Sequence, residues 1–74
     1  MLTKEEIEKE GWRFLDTIEG APLIAVNNLN SINFFPKDGY TIITKYEDMQ
    51  YYVCFIGNIA SLEEFKTVLR QVGV

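Results

Sequence analysis

The chain has 74 residues, 47% of them hydrophobic and 14% aromatic, with seven basic side chains against eleven acidic ones and a net charge of −4. It carries no histidine and one cysteine, which excludes a Ser-His-Asp triad, a Cys-His dyad, a histidine-ligated metal and a disulfide within the chain. This is the length of one domain and the composition of a globular one, small enough to bury only about 60–65% of its unfolded surface and so to depend on a dense aromatic core or on oligomerisation.

Thr3 followed by Glu6 is a capping box, and Leu2 and Ile7 stand at the spacing of a hydrophobic staple. Glu5 and Glu6 fall in the first turn, where the helix dipole favours negative charge, and Gly11 closes the segment. The expectation is a short helix over 4–10. Trp12 to Ile18 alternates large and polar residues and predicts a first strand, broken by Gly20-Ala21-Pro22. Leu23 to Val26 predicts a second. The cluster Asn27, Asn28, Asn30, Ser31 and Asn33 follows, rich in turn formers, and Ile32 to Phe35 returns as a short strand. Pro36-Lys37-Asp38-Gly39 reads as a turn.

Tyr40 to Tyr46 and Gln50 to Ile56 are β-branched and aromatic, and with a turn at Glu47-Asp48 they predict a hairpin. The second of these strands is apolar on both sides: Tyr51, Val53 and Phe55 alternate with Tyr52, Cys54 and Ile56. That pattern implies either a central strand covered on both faces or a face completed by a partner. Ser61 and Glu64 repeat the capping grammar, and Leu62, Phe65, Val68, Leu69 and Val72 form one apolar stripe of a helix over 62–72, ended by Gly73. The predicted fold is α+β: a small antiparallel sheet of four or five strands, flanked by a short N-terminal helix and by a C-terminal amphipathic helix packed on one face.

The carboxylates crowd helix starts and a turn tip, where solvated or capping charge is the ordinary reading; an acidic surface that docks on a basic partner is the functional one. Gly57-Asn58-Ile59-Ala60-Ser61 precedes a helix N-terminus but has no glycine-rich fingerprint and no Walker lysine, and Glu63 and Glu64 repel an anion there. No calcium-loop pattern is present. The lone Cys54 reads as a small core residue in a reducing compartment. The asparagines serve turn chemistry or a polar contact loop. Adjacent pairs Phe34-Phe35 and Tyr51-Tyr52 must point to opposite faces of a sheet, so one member of each is a candidate for an exposed patch. A sequence pI near 4.6 and scattered lysines and arginines argue against nucleic acid. The acidic segment Met1 to Glu10 lacks signal-peptide features and the apolar runs are short, so a cytoplasmic protein away from membranes is expected.

In style the chain resembles the short proteins encoded by bacteriophages and mobile elements. The residues that carry the likeness are Leu2-Thr3-Lys4-Glu5-Glu6-Ile7 running into Gly11-Trp12, then Phe55-Ile56-Gly57-Asn58-Ile59, Ser61-Leu62-Glu63-Glu64-Phe65 and Leu69 to Gly73. It covers the two ends, about a third of the chain, and matches capping grammar with no functional motif. The resemblance implies action without catalysis, by blocking a host protein such as an immunity protein or by sequestering a nucleotide.

The expected function is therefore a non-enzymatic protein-binding module, a phage-type inhibitor or adaptor without cofactor or metal. Its surface would combine Glu5, Glu6 and Glu8 with Trp12, Asn28, Asn30, Tyr51 and Tyr52. The alternatives are a self-associating protein that sequesters a nucleotide, and a small structural or assembly subunit.

Overall fold

The computed structural model describes residues 2–35 and 37–74; Met1 and Pro36, the latter the first residue of the expected turn, lie outside the described residues. Helix α1 spans Lys4–Lys9, and strands β1 to β5 span Arg13–Phe14, Leu23–Asn27, Asn30–Phe35, Tyr40–Glu47 and Gln50–Gly57. Helix α2 spans Leu62–Val72. The strands form one antiparallel five-stranded meander in chain order, β1-β2-β3-β4-β5.

The helix ends follow their local chemistry. The Thr3 hydroxyl accepts the Glu6 amide at 3.2 Å and the Glu6 carboxylate accepts the Thr3 amide at 2.9 Å, which satisfies two otherwise free donors. Ser61 caps α2 by accepting the Glu64 amide, while the Glu64 carboxylate reaches one residue further back, to the Ala60 amide. Gly73 takes a left-handed conformation at φ 79° and donates to the Leu69 carbonyl.

Both helices lie on the same side of the sheet. Ile7 of α1 and Phe65 and Leu69 of α2 join Trp12, Ala25, Ile32, Ile43 and Ile59 in a single core. Ala25, Ile32 and Ile43 are aligned across β2, β3 and β4, so this row is one face of the pleat. Phe14 and Phe34 extend it, with ring centroids 6.0 Å apart. Lys45 reaches from the sheet to the far end of α2, where its ammonium donates to the Val72 carbonyl at 3.4 Å and pairs with Glu47 at 2.9 Å.

Three expectations are corrected. The first strand stops at Phe14 instead of Ile18: past the Leu15 amide, which still bonds the Ile24 carbonyl, the chain must reverse to enter β2, and residues 16–22 make that reversal. The β4–β5 turn consists of Asp48 and Met49, with Glu47 paired to Gln50; both turn residues have positive φ, 52° and 64°, as a tight two-residue hairpin requires. Third, of the two readings open for β5 the central strand does not hold: β5 is an edge strand, and a bulge splits its alternation. Ile43 pairs with Phe55 but Thr44 pairs with Val53, leaving Cys54 as the extra residue. Phe55 therefore turns to the helix side, while Tyr51, Val53 and Ile56 share the opposite face.

Candidate protein-binding face

The face of the sheet away from the helices is uncovered. Pairing fixes its rows. Val26, Ser31, Thr44 and Val53 lie side by side, as do Ile24, Asn33, Ile42 and Ile56. Each end of this field carries a cross-strand aromatic pair. Phe35 and Tyr40 stack with centroids 4.6 Å apart and planes at 16°, and Tyr46 meets Tyr51 edge-on at 4.9 Å and 62°. Toward the β5 side the face opens to solvent: Tyr51 is 65% exposed, Val53 60% and Ile56 65%. Among the described residues of these paired rows, Arg13, at the β1 margin beside Val26, is the one that brings a charge.

This arrangement offers area and shape for an apolar partner surface, with Ser31, Asn33 and Thr44 as neutral hydrogen-bonding groups among the aliphatic side chains. No cluster of metal-ligating side chains exists among the described residues. Cys54 is half-buried, with its thiol donating to the Ile43 carbonyl at 3.4 Å, and burial pushes its pKa up, away from the reactive thiolate. Lys45 is raised by the hydrogen bond and charge of Glu47, so it is a firm cation anchoring α2.

A shallow cavity of about 620 Å³ lies at one end of the sheet, bounded by Phe34, Phe35, Tyr40, Asn58 and Ile59 among others. It has the size of a small-molecule site. Its lining contains no lysine or arginine among the described residues, so a nucleotide phosphate would meet no cation there.

The residues singled out in the sequence separate in space. Tyr51 belongs to the open face. Tyr52 pairs with Lys45 on the helix side, its hydroxyl donating to the Gln50 side chain at 2.9 Å. Trp12 is 3% exposed and sits in the core. Asn28 forms the β2–β3 turn at φ 56°, and the Asn30 side chain accepts the Tyr46 amide at 2.9 Å, holding the two neighbouring hairpins in line. Glu6 is taken up by the capping box; Glu5 and Glu8 are exposed on α1, which packs on the other side of the sheet from Tyr51. Glu10 lies 3.9 Å from the Lys66 ammonium. The acidic helix and the exposed aromatics are thus two surfaces and not one.

Sequence reasoning passed over Ile24, Ile42, Tyr46, Val53 and Ile56 as members of the open face. The alternation Tyr40, Ile42, Thr44, Tyr46 carried the signal for β4. For β5 the bulge erased it. Compared with family models, with curated proteins and with solved structures, the chain matches none.

Proposed function

We propose that the chain is a non-enzymatic protein-binding module that takes its partner on the open face of the sheet. The observation that carries this reading is the field of aliphatic and aromatic side chains from Ile24 to Ile56, half-buried in β2 to β4 and exposed at Tyr51, Val53 and Ile56 in β5, on the side of the sheet that the two helices leave free. Aromatic anchors surrounded by neutral side chains are the usual centre of a protein interface. The acidic α1 surface, on the opposite side, then contributes long-range steering and a charge that keeps the free protein soluble. The phage-like style of the chain ends makes a host protein the partner to test, with inhibition or adaptation as the outcome of binding.

Site-specific photo-crosslinking in living cells tests the reading. A photoreactive side chain at position 51 or 56 is expected to trap a partner, and one at position 5 or 8 is expected to trap none. Adducts confined to positions 5 and 8 would move the site to the acidic helix and overturn the proposal.

A second reading is binding of an uncharged, largely apolar small molecule, favoured by the 620 Å³ cavity beside Phe35 and Tyr40. A ligand of this kind would raise the melting temperature of the purified protein, and Tyr40→Ala would abolish that rise.

A further inference from the structure

The two edges of the sheet are built differently. β1 is two residues long and offers almost no ladder to a visitor. β5 is eight residues long, and among the described residues no strand lies along its outer side. Natural edges are usually guarded by charged side chains or proline, and the segment Gln50–Gly57 has neither. The bulge at Cys54 is its one guard, and it leaves Gln50 to Val53 as regular edge.

We propose that this edge pairs antiparallel with the same edge of a second copy, about a two-fold axis at Tyr52. Two observations favour this occupant and its direction, and a third limits the register to one centred on a residue. First, every copy is acidic, so a second copy is tolerated only where the surface is uncharged, and Gln50–Gly57 is such a stretch. Second, an antiparallel arrangement keeps the acidic hairpin tips at Glu47-Asp48 at opposite ends of the junction, whereas a parallel one would set them side by side. Third, side chains paired across a ladder must point to the same face. Tyr51 and Val53 both point to the open face, so an axis at Tyr52 sets Tyr51 of each copy beside Val53 of the other and Tyr52 opposite its own symmetry mate. The bulge then falls beyond the central pairs.

The junction would join two open faces into one surface of twice five strands, without covering either. A single molecule would thereby become a bivalent one. The pairing stands on the edge alone and holds whether or not the open face takes a foreign protein. A ladder this short lies at the small end of specific interfaces, so assembly is expected between about 10 μM and about 1 mM.

The test uses purified full-length protein alone. In sedimentation equilibrium the mass should rise from 8.6 kDa toward twice that across this range. Amide hydrogen exchange of the same samples should slow at Gln50 to Val53 in the concentrated sample and remain unchanged in β1. Val53→Lys and Val53→Glu place charge at an exposed position, so both should fold; each should be monomeric alone, and an equimolar mixture should recover the dimer. A monomer at about 1 mM overturns the proposal, as does a dimer whose β5 amides exchange at the monomer rate.

Discussion

Ile42 and Ile43 are neighbours in β4 and the same kind of residue, yet they belong to different parts of the molecule. Ile43 is fully buried beneath the helices with Ile32 and Phe65. Ile42 looks out on the open face beside Ile56. One face of the sheet gathers both helices, Trp12 and every residue of the buried core; the other keeps aromatic pairs and aliphatic side chains without a cover. A small chain has too few helices to cover both faces, and here the one they leave free keeps Tyr51, Val53 and Ile56 exposed.

Substitutions on the two faces can break or sharpen this contrast. Phe65→Ala empties the centre of the core and should cost about 3–5 kcal/mol, enough in a domain of this size to lower Tm by well over about 10 °C or to unfold it. Tyr51→Ser on the open face should stay within about 1 kcal/mol in the same melt, the remainder being its edge contact with Tyr46.

Gly57→Ala probes the join between the two faces. A Cβ at this position would stand 2.9 Å from the tip of the Phe55 ring, which lies across the glycine on the helix side. A loss of about 1–3 kcal/mol is expected by urea titration. Phe55→Leu should relieve part of it, so the two substitutions should be less than additive.

Cys54 gives a pH dependence. Burial raises its thiol pKa in the folded protein, so the unfolded chain loses this proton first as pH rises. The thiol's contribution to stability is whole below the ordinary thiol range and drains away as pH climbs through the folded value. Melting curves from neutral to alkaline pH should show this decline, and Cys54→Ala should flatten it; an identical slope in the variant would remove Cys54 from the account.

Met49 offers the smallest effect, and one of opposite sign. It is exposed and held at φ 64°, a conformation that costs a side-chain-bearing residue about 1–2 kcal/mol. Met49→Gly should raise stability by less than about 1 kcal/mol, because glycine returns part of the gain as lost chain entropy. A drop in stability would show that the methionine side chain is packed.

What was legible in the sequence was local. Thr3 with Glu6 and Ser61 with Glu64 marked both helix starts, because capping depends on residues three apart. The stripe through Phe65 and Leu69 marked the face of α2 that is buried, and the alternation of Tyr40 to Tyr46 marked β4. The bulge at Cys54 was not legible, since no glycine or proline announces it and its cause is the pairing of β5 with β4. Reading β5 as strictly alternating put Phe55 on the side of Tyr51 and Val53, one register step wrong. Nor could the chain order show that α1 and α2 settle on one side, which is why Glu5 and Glu8 were grouped with Tyr51 across a sheet that separates them. Trp12, expected on the binding surface, is in the core for a related reason: a lone tryptophan after a helix suits a core or an anchor equally, and only packing decides.

Urea unfolding of Ile42→Ser and Ile43→Ser, measured side by side, tests the division of the sheet most directly. The account predicts a loss of several kcal/mol for Ile43→Ser, where a hydroxyl replaces a fully buried side chain, and a clearly smaller one, about 1–2 kcal/mol, for Ile42→Ser, where the side chain is half-buried. Equal losses at the two positions would mean that the open face is part of the protein's own core, and the account of a free binding face would be wrong.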